Sequence, residues 1–145
     1  MSGCIFCAIQ AGELPAAIVH EDAHCMAFMD AYPLRPGHVL IIPRRHAVLM
    51  TELQASERTQ LIELGNRIAR AMRQLDPTGD INWIVNDGKA ANQHVPHVHL
   101  HLIPRQRGDG AALLARFGVR PLTMLRAPNL VKLEPDAARL RAALQ

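Results

Sequence analysis

Hydrophobic and polar positions change period along the chain, and each change marks an element. Apolar runs in AIVHED and CMAFMD meet at Asp22 and Ala23, which predicts a β-hairpin over residues 18–30. YPLRPG, with two prolines and a glycine, breaks the pattern and reads as a loop. HVLIIP, residues 38–43, is rich in β-branched residues and ends at proline, as a buried strand does. Over residues 55–75 the period lengthens. Leu61, Leu64, Ile68, Met72 and Leu75 recur every three or four positions with Arg58, Glu63, Arg67, Arg70 and Arg73 between them, so one long amphipathic helix is expected, stopped by DPTG at 76–79.

DINWIVN alternates well enough for another strand, and after the polar loop DGKAANQHVP a histidine-bearing strand is expected over residues 97–104. Strands, then a helix, then strands implies hairpin-linked neighbours, and so an α+β fold whose mostly antiparallel sheet has about five strands. Past residue 105 a turn at GDG and prolines at 121, 128 and 135 interrupt the pattern. Leu133, Ala137, Leu140 and Leu144 then fit a short C-terminal amphipathic helix with Pro135 near its first turn. There is no internal repeat or linker-like tract. At 145 residues and 49% hydrophobic content, a single domain over 1–145 with a real core is expected.

Composition narrows the function classes. No basic segment followed by an apolar run occurs in the first 25 residues, and no apolar stretch of about 18 residues occurs anywhere, so neither a signal peptide nor a membrane span is expected. The expected location is cytoplasmic, with no membrane partner. The net charge of +3 comes almost entirely from arginine, since Lys89 and Lys132 are the lysines. That excess suits phosphate-bearing ligands, whereas one Trp, one Tyr and three Phe offer few stacking platforms, so no nucleic-acid partner is expected. Three cysteines argue against a disulfide framework. The Cys4-x-x-Cys7 spacing alone fits a metal site, a redox pair or two core residues.

The candidate chemistry lies in HVPHVHLHLIPR, residues 94–105. On a strand, side chains two apart share a face at about 6.6 Å, so His97, His99 and His101 line up while Val98, Leu100 and Leu102 point to the core. Three readings compete: a polar strand face, a metal centre of neutral imidazoles, and nucleophilic and acid–base chemistry on a phosphate. Asn86, Gly88 and Gln93 stand upstream, and no Asp or Glu lies between Asp87 and Asp109. A metal hydrolase more often brings a carboxylate nearby, so anion chemistry is favoured.

HVHLHLI, residues 97–103, resembles the signature of the histidine triad (HIT) superfamily, His-x-His-x-His followed by two apolar residues. The resemblance extends to CIFCAIQAGELPAAIVHED, CMAFMDAYPLRPGHVLIIPRRH and NDGKAANQHVPHVHLHLIPR. It spans residues 4–105 without interruption and leaves 106–145 as a tail outside it. The resemblance implies an enzyme that attacks the α-phosphate of a purine nucleotide derivative through His99, forming a nucleotidyl-His99 intermediate that water releases. It implies His101 as donor to the non-bridging oxygens, His97 as a further triad member and His38 as their support from a neighbouring strand. Asp30 corresponds to the ribose-contacting position, Phe6, Ile9 and Phe28 to the base pocket, and Asn86 and Gln93 to the phosphate and leaving-group end. Members pair through the long helix and a strand, which implies a homodimer.

Some superfamily members with this opening hold structural zinc, and the corresponding residues here are Cys4, Cys7, His46 and His97. Two positions depart from familiar branches: His94 stands where Ser or Thr is common, and Asn92 where Gly is. Both touch the leaving-group end and leave open phosphoramidates, dinucleoside polyphosphates or nucleotidyl transfer. The expected function is a nucleotide hydrolase or transferase. The alternatives are a zinc hydrolase with His97, His99 and His101 as ligands, and a non-catalytic nucleotide-binding module.

Overall fold

The computed structural model describes residues 3–77 and 79–145. In chain order it contains α1 (Ile5–Gln10), β1 (Ile18–Glu21), β2 (Cys25–Met29), β3 (Val39–Pro43), α2 (Ala55–Leu75), β4 (Asp80–Val85), β5 (Leu100–Arg105), α3 (Gly110–Thr123) and α4 (Leu130–Ala143). The five strands form one antiparallel sheet in the order β1-β2-β3-β5-β4, so the histidine strand enters between β3 and the edge strand β4. This is the expected α+β architecture.

Both sheet faces are covered, which explains why β2 and β3 are buried along their whole length. On one face Cys25, Ala27, Met29, Val39, Ile41, Leu100 and Leu102 pack against Leu61, Leu64, Ile68 and Met72 of α2 and Leu133, Ala137 and Leu140 of α4. On the other, Met26, Phe28, Leu40 and Ile42 meet Phe6 of α1 and Cys4 just before it. Phe28 pairs with Leu40, and Leu40 with His101. That register sets His101 in a row with the second, smaller apolar cluster, on the site side of the sheet.

Helix α2 begins where Glu57 accepts the Gln54 N–H at 2.7 Å while also holding Arg45, and ends at Asp76, whose backbone is extended. The DPTG stop includes Thr78, which lies outside the described residues. Gly65 is the point where α2 meets the sheet: a Cβ there would stand 2.6 Å from the Trp83 ring. None of the described helices is long and apolar enough to cross a membrane.

Three boundaries differ from the pattern-based expectation. The histidine strand joins the ladder at Leu100, not at residue 97, because the Val98 N–H bonds to Ala47 O, beyond the end of β3. The C-terminal helix starts at Leu130, where the Asn129 side chain accepts the Lys132 N–H, so Pro135 falls in the second turn. Helix α3 fills the stretch that glycine and proline made unreadable. It runs through Gly118 and Pro121, and its outer face leaves Leu114 and Leu122 exposed, so no buried stripe betrays it in the sequence.

Candidate active site and metal centre

Cys4, Cys7, His46 and His97 come from four separate places: the approach to α1, α1 itself, the loop after β3 and the approach to β5. Their donor atoms all lie within 4.8 Å of one another. Nδ1 of His97 is 3.5 Å from Cys4 Sγ and 3.6 Å from Cys7 Sγ, and Nδ1 of His46 is 3.3 Å from Cys7 Sγ. Around a tetrahedral zinc ion with ordinary bond lengths, S and N ligands stand about 3.6 Å apart, so these three separations match edges of that polyhedron. The outer nitrogen of His97 donates to Pro43 O at 3.0 Å, which leaves Nδ1 as the ligating atom. Burial pushes the His97 ring down to about 4, so it is neutral as a metal ligand must be.

Phe6 links this centre to the triad. Its ring meets His97 edge-on at 5.9 Å and His99 at 5.2 Å, so the helix that carries Cys7 also walls the His99 imidazole.

His99 and His38 each have their tautomer set by a backbone group, and His101 has its tautomer set through His38. His99 Nδ1 donates to His97 O at 2.7 Å, leaving Nε2 as the free nitrogen. Burial lowers the His99 pKa against the opposing pull of that carbonyl and of Asp30, so the ring carries a lone pair at neutral pH. Leu34 N–H donates to His38 Nδ1 at 3.1 Å; His38 Nε2–H is therefore the donor to His101 Nδ1 at 2.9 Å. The relay forces the proton of His101 onto Nε2. That N–H is buried and has no partner in the protein. Burial holds His38 at about 3 and His101 at about 2, so both are neutral.

His99 and His101 line a cavity of about 380 Å³ together with Phe6, Ile9, Phe28, Asn86, His94 and Asp30. Asp30 Oδ1 accepts the Tyr32 N–H at 2.8 Å, and Oδ2 accepts Arg120 Nη2 at 2.6 Å. Burial raises the Asp30 carboxyl, opposed by Arg120 and the Tyr32 N–H.

Comparison with known proteins matches residues 11–108 to the HIT domain family model. This chain belongs to the HIT family. An uncharacterised HIT-like protein of Mycobacterium tuberculosis is 42% identical over 106 residues, covering 73% of this chain and 74% of that one. The adenosine 5'-monophosphoramidase of Schizosaccharomyces pombe is 37% identical over 102 residues, with 70% and 74% covered. A zinc-bound histidine triad protein from Mycobacterium smegmatis superposes with a TM-score of 0.78 at 38% identity, over 98% of this chain and 93% of that structure.

Within the HIT domain the structure separates roles that adjacency in sequence had merged. His97 turns away from the cavity into the cysteine centre, and His38 stands behind His101. The three triad rings have three different sets of partners, and among the described residues they do not form a three-histidine metal cluster. Gln93 is also absent from the cavity wall: its amide donates to Val48 O and its carbonyl accepts Gly88 N–H, which pins the loop before the triad. Arg120, Met124, Pro128 and Leu130 line the cavity from outside the family match, and no motif in the sequence pointed to them.

Proposed function

We propose that the protein is a nucleotide hydrolase or transferase that attacks the α-phosphate of a purine nucleotide derivative. The observation that carries this reading is the fixed pair of tautomers, which presents a lone pair on His99 Nε2 and a proton on the unpartnered His101 Nε2 to one cavity. His99 Nε2 would form a bond to the α-phosphorus as the P–N or P–O bond to the leaving group breaks, and water would then release the nucleotide from His99. His101 would donate to the non-bridging oxygens, where charge grows in the transition state. The base would lie among Phe6, Ile9 and Phe28, and the ribose hydroxyls would donate to Asp30. Asn86 and His94 stand at the leaving-group end.

Cys4, Cys7, His46 and His97 would hold zinc. Four protein ligands leave no open position, so the ion would be structural, tying α1 and its Phe6 to the triad strand. The free cysteines at 4, 7 and 25 suit a reducing, cytoplasmic setting. The free edge of β4, beside α2, supports a homodimer that extends the sheet. The test is turnover of a panel containing an adenosine phosphoramidate, its guanosine counterpart and dinucleoside polyphosphates, followed by product chromatography. Release of nucleoside monophosphate supports the reading. Tight binding without turnover of any member would make the protein a nucleotide-binding module instead.

A further inference from the structure

Among the described residues, two buried side-chain N–H groups have no hydrogen-bond partner: His101 Nε2 and Arg120 Nε. Both belong to residues that line the same cavity. A buried donor left without an acceptor is costly, and two on one cavity point to an acceptor that arrives from outside.

The charge of the cavity points the same way. Asp30 is the one carboxylate among its described lining residues. A carboxylate with no cation beside it would repel a phosphate. Arg120 is the one arginine or lysine among the described lining residues, and its Nη2 contacts Asp30 at 2.6 Å.

Its placement is built. Helix α3 is fastened at its start by Asp109, which accepts from Arg105 and stands 3.5 Å from Arg35. Midway Arg116 reaches Pro33 O, and just past the end Tyr32 donates to Arg126 O at 2.7 Å.

We propose that Arg120 is a ligand-binding residue of this pocket: it cancels the charge of Asp30 and offers its free Nε–H to an anionic oxygen of the ligand, so that phosphate-bearing nucleosides are held in preference to uncharged ones. The helix beyond the family match is then part of the binding site. The proposal rests on the nucleotide reading above.

The test compares AMP with adenosine, and GMP with guanosine, by titration calorimetry on wild type, Arg120→Met and Arg120→Lys. Arg120→Met should lose about tenfold or more of its affinity for the monophosphates and change by less than about threefold for the nucleosides. Arg120→Lys, which keeps the charge but has no planar fork to reach Asp30 and the ligand at once, should fall between wild type and Arg120→Met for the monophosphates. Equal losses for nucleotide and nucleoside, or no loss for either, would overturn the proposal while leaving the functional reading intact. Wild type binding neither monophosphate would overturn the functional reading and the proposal with it. If Arg120→Met does not fold, Arg120→Gln carries the same comparison.

Discussion

For the candidate metal centre, linkage sets the size of the expected effect. A ligand that binds only the folded chain stabilises it by RT ln(1 + [L]/Kd), so above Kd each tenfold rise in free zinc adds about 1.4 kcal/mol. Unfolding entropy of about 2.1 cal/mol/K per residue over the 145 residues comes to about 0.3 kcal/mol/K, so each decade of zinc should raise Tm by about 4–5 °C. The sensitive position is Cys7, whose Sγ lies 3.3 Å from His46 Nδ1 and 3.6 Å from His97 Nδ1. Cys7→Ser should flatten the dependence. The assay is thermal unfolding followed by circular dichroism across zinc concentrations set by a chelator buffer. A Tm indifferent to zinc over several decades in wild type, or an equal slope in Cys7→Ser, would refute the assignment of these four residues as a folded-state metal site.

Three further outcomes follow from the geometry. His38→Leu removes the donor that places the His101 proton on Nε2, and kcat should fall about 100-fold in steady-state assays; an unchanged kcat would mean that His101 keeps its tautomer without help. His38 at about 3 and His101 at about 2 titrate below the unfolded value of about 6.5, so the unfolded chain takes up protons first and stability falls as pH drops from about 6.5 towards 3. Each ring contributes a slope of up to about 1.4 kcal/mol per pH unit, and urea unfolding between pH 6 and 4 should show the slope reduced by that amount in His38→Leu. Gly65→Ala gains about 1 kcal/mol of helix propensity but drives a methyl to 2.6 Å from the Trp83 ring, and denaturation should show a net loss of about 1–2 kcal/mol.

What was legible in the sequence was what repeats or punctuates. Leu61, Leu64, Ile68 and Met72 outlined α2 correctly, and HVLIIP outlined β3 apart from His38, because burial on one stripe or on both faces leaves a periodic trace. His99 and His101 stood out by alternation with Leu100 and Leu102. The separate assignment of His97 was visible only through its resemblance to other zinc-bearing openings, since spacing along a strand says nothing of which way a ring turns before the ladder begins. Gln93 illustrates the limit for polar residues: an amide reads alike whether it meets a ligand or, as here, braces Val48 and Gly88. Arg120 lies 90 positions from Asp30 and on a helix interrupted by Gly118 and Pro121, so tertiary contact alone reveals it.

The central claim is that His99 is the nucleophile of a two-step reaction. Its most direct test is rapid acid or denaturant quenching of the protein with an adenosine phosphoramidate, followed by mass spectrometry of the intact chain and its peptides. The proposed mechanism requires a nucleotidyl adduct on His99, absent in His99→Ala, which should lose turnover while holding AMP within about tenfold of wild type. Turnover that persists in His99→Ala, or an adduct carried by His97 or His101, would contradict it.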